Sequence, residues 1–426
     1  MKLVEELSTA LDTREATVRD LQARYLGDVA IALLSTEQRD VLAHRLKSLR
    51  VPYCGLVVDT LVERLRLTGF TVDGTPDLAL WERWREVGMD DGAGQVHRDA
   101  LALGQGFASV WADEDGLPMV LPESATQCIV KRHPVTRRTT LGFKRWRDSG
   151  RAHAVLYAPD GVTLLTSASH VPDEVGVIPP NGWVVVKTLP NPLGLVPLVD
   201  ITNPGRIEDE FGVSEMAAVS DLVDALQKVT LDGLLTSHET GMPRRWATGV
   251  EVEVDENGEG VDPWSEGVST IQIEAAEARV GQLAASDMRG HDVLAGLLLR
   301  QIGALSGLPP QTLGLHADNA MSADALRASE AALVAKAERR SRTFGRSWAR
   351  VGALMVATRD HRDPRHVRVT PLWADPAHRS EAQAADAAAK LYADGLLSRE
   401  GVLERLGYRP DQIATENTRT PRQEAS

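Results

Sequence analysis

The stretch that most constrains this chain runs from Leu308 to Met355. It opens with Leu308-Pro309-Pro310, passes through an irregular segment holding Gly314, His316 and Asn319, and enters a long helical pattern behind Ser322. Ser322 is placed to cap that helix, its hydroxyl accepting from the free first-turn amides, and Asp324 complements the positive helix end. Apolar residues recur at Leu326, Leu333, Ala337, Phe344, Trp348, Val351 and Met355. Intervals of three, four and seven put them on one face of an α-helix. No proline interrupts the pattern before Pro364. At 1.5 Å per residue, about 35 residues span roughly 50 Å, longer than most globular helices.

A chain of 426 residues can bury a sizeable core and divide into two or more units. The longest apolar run, Val293 to Leu299, is too short to cross a bilayer and meets Arg300 at once, so no membrane partner is expected. Glu5 and Glu6 at the start argue against a secretory signal. Cys54 and Cys128 have no CxxC spacing and read as buried thiols. The net charge of −13 excludes strong non-specific DNA binding over the whole surface, because phosphate contact needs lysine and arginine. An acidic wall does suit a conduit along which DNA must slide.

Signals for catalysis are sparse. The chain has no Gly-Lys dipeptide, and so no usual phosphate-binding loop, and it has neither HExxH nor G-x-S-x-G. Gly104-Gln-Gly106 lacks a third glycine and leads into a strand, against a dinucleotide fold. His361 and His366, near Asp360 and Asp363, read as a solvated turn before a metal site, and Asp90-Asp91 as helix-start acids before an acid–base pair. No enzyme activity, cofactor or metal is expected. The competing enzyme reading is a hydrolase built from scattered Asp and His, which requires a convergent polar pocket.

Along the chain, residues 1–24 carry a helical stripe of Leu3, Val4, Leu7, Leu11, Val18 and Leu21. Helices are expected over 37–49 and 53–67, then around Trp81 and Trp84 up to Gly88, and from Asp90-Asp91 to Gly104. Trp81 and Trp84 read as core. Short β-rich runs follow at 107–111, 127–131, 141–146, 152–157, 162–166 and 183–187. Lys131, Arg132, Arg137, Arg138, Lys144, Arg145 and Arg147 form a basic cluster, read as solvated strand faces or as a subunit or DNA contact. The proline- and glycine-rich 191–205 reads as a linker. Helices are expected over 214–238 and 286–306, bracketing a strand at 244–254, an acidic loop and a strand at 270–273. After the long helix come a strand at 367–372, helices capped by Ser380 and Ser398, and a disordered tail over 415–426. The fold class is α+β.

Gly307-Leu-Pro-Pro-Gln-Thr-Leu-Gly314 followed by Asp318-Asn-Ala-Met-Ser-Ala-Asp-Ala-Leu-Arg-Ala-Ser-Glu330 resembles the portal proteins of tailed double-stranded DNA bacteriophages. So does Leu49-Arg-Val-Pro-Tyr-Cys-Gly-Leu-Val-Val-Asp-Thr-Leu-Val-Glu-Arg-Leu65, and the resemblance extends from about Tyr25 to Tyr408. The family's usual form has proline where this chain has Ala320 or Met321. The resemblance implies an N-terminal wing over 1–205, stem helices over 206–240 and 286–307, and a clip over 241–285. A tunnel loop over 308–322, a long wing helix and strand over 323–375, and a crown with its tail over 376–426 complete it.

By the same resemblance, the chain forms a ring of its own copies, twelve in the family, closed by heterologous contacts. The ring would sit with the major capsid and scaffolding proteins and pass double-stranded DNA. The clip would dock the large terminase subunit, a separate chain that hydrolyses ATP, and later the head-completion or adaptor proteins. The expected loop residues are Leu313, Leu315, His316, Asn319, Met321 and Ser322. The expected clip residues are Arg244, Arg245, Trp246, Glu256 and Trp264. Lys228, Arg300 and the run Arg339-Arg340-Arg342 are expected bore or interface charges, or ordinary helix-surface residues. A head–tail adaptor or scaffold is the competing structural reading; adaptors are much shorter and lack this order of elements.

Overall fold

The structure is a computed structural model describing residues 1–29, 50–171, 178–179, 181–241, 245–249, 277–282, 288–315, 322–377, 381–408 and 410–419. The chain divides into two compact units, one of residues 1–30, 50–223 and 300–426, the other of 31–49 and 224–299. The first unit begins with α1 (Lys2–Leu26), α2 (Tyr53–Val62), β1 (Leu67–Val72), β2 (Thr75–Pro76), α3 (Leu78–Glu86) and α4 (Met89–Leu103). Strands follow as β3 (Gln105–Ala112), β4 (Pro118–Ser124), β5 (Cys128–Arg132), β6 (Thr139–Asp148), β7 (Arg151–Tyr157), β8 (Gly161–Ser167), β9 (Trp183–Pro190) and β10 (Leu198–Thr202). Then come α5 (Ser220–Gly241), β11 (Arg245–Thr248), β12 (Arg279–Gln282), α6 (Arg289–Ser306) and α7 (Ala323–Asp360). The chain continues through β13 (Val369–Trp373), α8 (Glu381–Ala393), α9 (Arg399–Arg405) and α10 (Pro410–Arg419).

The α+β class and the antiparallel sheets expected from sequence are present. Helix α7 is the spine of the first unit. Leu333, Ala337, Phe344, Trp348, Val351 and Met355 are all buried, each worth about 1.5–3 kcal/mol for a large side chain. Leu326, at the start of the same stripe, is 41% exposed, so the dry face begins only in the third turn. This face packs on β3, β4, β10 and β13. Strand β3 is buried on both faces, because α4 contacts the same three-stranded sheet, ordered β10-β3-β4.

Three sequence expectations are corrected here. The "linker" over 191–205 contains β10, which pairs antiparallel with β3. Its Leu-Val-Asp-Ile-Thr is too short and too continuously buried to alternate. The helix expected over 53–67 stops at Val62, and Leu67–Val72 pairs with Val369–Trp373 instead. Asp73 and Gly74, both with positive φ, turn β1 back into β2, as a two-residue Asp-Gly hairpin requires. The tail expected to be disordered from 415 is helical to Arg419. The helix expected over 37–49, the strand over 270–273 and the cap Ser380 lie outside the described residues.

Helix α1 lies on the five-stranded sheet β5-β6-β7-β8-β9, burying Val4, Leu7 and Leu11 with Ile129, Phe143, Leu165 and Trp183. Arg145 reinforces the contact, donating to Ser8 Oγ at 2.7 Å and pairing with Asp12. Most of the basic cluster on these strands is consumed inside the subunit. Lys131 pairs with Glu6, Arg132 with Asp200 and Lys144 with Glu123. Burial works against ionised Asp200, but Arg132 and Arg350 outweigh it and hold its carboxyl below the usual range. Among the described residues no helix is long and apolar enough to cross a membrane.

At the centre of the first unit, His97 is fully buried in an aromatic cage. Its ring stacks on Phe344 at 5.3 Å and on Trp373 at 5.6 Å, and meets Trp348 edge-on. Trp84 and Phe70 extend the cluster, with Trp81 behind them, so the tryptophan pair is core as expected. Trp348 Nε1 donates to His97 Nε2 at 2.7 Å, which requires the neutral imidazole with its proton on Nδ1. Burial depresses its pKa to about 3. The unfolded chain therefore binds one more proton than the native chain between about pH 6.5 and 3. Stability from the neutral ring is full above that window and falls by about 1.4 kcal/mol per pH unit through it. We expect urea unfolding followed by far-UV circular dichroism to show this slope between pH 6 and 4.5. His97→Gln, which keeps an acceptor for Trp348, should remove about one proton's worth of it; an unchanged slope would reject the assignment.

Candidate functional site

The candidate site is the junction where α6 hands the chain to α7. Helix α6 ends at Gly307, whose φ of 76° is left-handed, and the Gly307 amide closes on the Gly303 carbonyl at 2.8 Å. Ser306 Oγ donates to the Ile302 carbonyl at 2.6 Å. Pro309 and Pro310 then start a 3-10 turn, Pro310–Leu313, which Gly314 ends with φ 72°. Leu313 is buried against Gly303, where an added Cβ would come within 2.8 Å of the leucine methyl. Leu315 closes the turn, its amide donating to the Pro310 carbonyl at 3.0 Å.

Two further contacts fix this turn to α7. Gln311 Nε2 donates to Ser329 Oγ at 3.1 Å, and Lys336 Nζ donates to the Ser306 carbonyl at 3.1 Å. The lysine thus meets the negative end of α6. Lys336 and Arg340 both pair with Glu215, to which Asn203 Nδ2 also donates at 3.2 Å. Burial raises the cost of ionised Glu215, yet the two cations prevail and lower its pKa. Ser322 caps α7 as expected, accepting from the Ala325 amide at 3.2 Å.

The predicted loop residues separate accordingly. Leu313 is a packing residue of the anchoring turn, Leu315 is half-buried, and Ser322 is exposed at the helix start. His316, Asn319 and Met321 lie outside the described residues, as do Arg244, Glu256 and Trp264 of the predicted clip. Lys228 pairs with Asp232 one turn along α5, and Arg300 is exposed on α6. Of Arg339, Arg340 and Arg342, only Arg340 turns inward, to Glu215. Sequence reading missed Glu215, Lys336 and Gln311. The signal available for Lys336 was its place four residues before Arg340 on one helix side.

The second unit, described by itself, holds the antiparallel β11–β12 pair and the facing parts of α5 and α6. Arg245 opens β11 opposite Gln282. Trp246, 40% exposed, covers Gly281 on the opposite strand; a Cβ there would come within 2.6 Å of the indole. Gly233 of α5 faces Met288 and His291, 3.7 and 3.9 Å from where its Cβ would be.

The hydrolase reading requires a convergent polar pocket. A cavity of about 630 Å³ between α1, α4 and β6 is lined by Arg14, Arg98, Asp99, Ser124, Arg145 and Trp146. Arg98 is held by Asp59, and Arg145 by Asp12. Ser124 Oγ donates to Asp99 at 2.6 Å, and burial raises that carboxyl's pKa, but no imidazole joins the pair. No group of three or more potential metal ligands occurs among the described residues.

Comparison with known proteins gives a consistent result. Residues 6–417 match the family described as phage portal protein, SPP1 Gp6-like. The portal protein of Mycobacterium phage L5 is 29% identical over 388 residues, covering 87% of this chain and 77% of its own length. The portal protein of Mycobacterium phage D29 is 27% identical over 424 residues, covering 95% and 85%. Among solved structures, a chain from the neck of an empty gene transfer agent particle superposes with a TM-score of 0.48 at 13% identity, covering 90% of this chain and 96% of its own. With a family match running from near its first residue to near its last, the chain belongs to the SPP1 Gp6-like phage portal proteins.

Proposed function

We propose that this portal protein assembles into a ring of about twelve copies at one capsid vertex, with double-stranded DNA passing through its centre. The observation that carries the reading is the junction itself. A helix ends in a folded turn tied to α7 by Gln311 and Lys336, and α7 restarts under its own cap at Ser322. Residues 315–322 are therefore held at both ends by rigid structure, the arrangement a DNA-contacting loop needs if subunit frames stay fixed while DNA moves.

Unsatisfied apolar surface supports self-association. On α6, Val293 is 67% exposed and Leu294 and Leu297 are each 44% exposed, one helical turn apart. A lone subunit has nothing to gain from that stripe; a second copy would bury it. Within this reading, residues 206–240 and 286–307 are the stem, and 241–285 the clip that docks the large terminase subunit and later the adaptor proteins. Residues 1–205 and 323–375 form the wing, and 376–426 the crown. The ring would be built in the host cytoplasm with scaffolding and major capsid proteins and retained in the virion. The protein is a passive frame, with ATP hydrolysis left to the terminase.

Light scattering of purified protein should give a mass near a dozen subunits, with a central hole in negative-stain images. Deleting 315–320 should leave that ring intact and reduce packaged DNA; normal packaging by the variant would remove the loop from the mechanism. Glu215→Gln strips the partner from two buried-side cations and should cost about 3 kcal/mol in denaturant unfolding. Added Lys336→Met should recover part of the loss. A midpoint equal to wild type would mean that the turn is not held by this pair.

A further inference from the structure

Helix α7 presents a second face that the packing of the subunit leaves unused. Arg339, Arg342, Arg346 and Arg350 are all exposed. At 100° per residue they fall within about 80° of helix surface, on the side opposite Phe344, Trp348 and Val351. They follow one another every three or four residues, a rise of about 5–6 Å per step over roughly 16 Å. Among the described residues, no carboxylate lies within ion-pair distance of Arg339, Arg342 or Arg346. Arg342 Nε donates to the Glu338 carbonyl at 3.3 Å, leaving its terminal nitrogens outward. Arg350 ends the row, donating to Ser347 Oγ at 3.3 Å and sensing Asp200.

The row stands out beside the many cations of this acidic chain that are paired within the subunit, such as Arg132, Lys144, Arg340 and Arg359. Two kinds of macromolecule can satisfy such a row: an acidic protein face or a nucleic-acid backbone. Protein interfaces are centred on apolar and aromatic anchors. No large apolar side chain is exposed between Arg339 and Arg350. What flanks the row is Glu338, Thr343 and Ala349. A phosphate backbone needs no apolar anchor, and the arginine fork matches phosphate oxygens bidentately.

We propose that Arg339, Arg342 and Arg346, with Arg350 at the end, form a contact strip for the phosphate backbone of double-stranded DNA. The strip is separate from the 315–322 loop. It reads no sequence, and it works locally because charges elsewhere on the acidic surface are screened beyond about 10 Å at 0.1 M salt. The assignment depends on neither the ring nor the loop.

The test uses the full-length protein and a fluorescent 30-base-pair duplex, with anisotropy followed from low to moderate salt. The variants are Arg339→Gln/Arg342→Gln/Arg346→Gln and the same three positions changed to Lys. The wild type should bind with a salt slope that the Gln variant lowers by about 2.7, at about 0.9 per lost phosphate contact, and that the Lys variant keeps. Because all three side chains point away from the core, the thermal midpoint should not move. Absence of wild-type binding at low salt, or equal slopes for wild type and the Gln variant, would overturn the proposal. Loss of self-association with an unchanged slope would overturn it in favour of a subunit contact.

Discussion

The structure depends on keeping one face of a 38-residue helix dry. Phe344, Trp348, Val351 and Met355 cannot be buried by a single sheet or a single neighbouring helix, so the first unit assembles β3, β4, β10 and β13 along them. The chain supplies those strands from positions far apart: β3, β4 and β10 before the helix and β13 after it, the last paired with β1 from near the start. Burial of that face also fixes the polar groups. Ser347 donates to the Asp200 carbonyl at 2.8 Å, and Trp348 forces His97 to stay neutral. A helix of this length can then serve two tasks at different points: anchoring the junction through Ser329, Lys336 and Arg340, and displaying arginines on its back.

Elements with strong periodicity were legible in the sequence. The long helix, its Ser322 cap and six of the short strands between Phe107 and Lys187 follow from spacing, residue type and turn chemistry. What escaped was short, buried on all sides or, like β4 with Pro118 and Pro122, interrupted by prolines. Strand β10 looks like linker because prolines flank a strand of five residues, the first four of them buried. Strand β1 went unread behind a helix extended to 67, although Asp73-Gly74 marked the hairpin turn that it needs. The junction residues were only half visible. Gly307, the prolines and Gly314 announced a turn, but nothing in a linear pattern says that Gln311 reaches Ser329 or that Glu215 waits for Lys336. The resemblance gave Leu313 as a loop residue, and the structure packs its side chain into the space that Gly303 leaves.

Charge is distributed with the same economy. The chain is strongly acidic overall, and most cations that touch the sheets have a specific carboxylate partner. Buried pairs of this kind seldom add much net stability, since desolvation offsets attraction, but they penalise wrong registers between α1, the sheets and α7. The exposed arginines of α7 stand out against that pattern because they enforce no internal register. Their number and regularity are legible from sequence; the absence, among the described residues, of a carboxylate paired with Arg339, Arg342 or Arg346 is not.

The aromatic cage around His97 has a spectroscopic consequence. Of nine tryptophans, Trp81, Trp84, Trp348 and Trp373 lie in or beside this one cluster, close enough for their indoles to couple electronically. Near-ultraviolet dichroism of the protein therefore carries a coupled contribution from this one cluster, and that contribution reports the integrity of the spine. Trp246 belongs to the second unit, on the β11–β12 pair and 40% exposed, where its emission answers to a different environment.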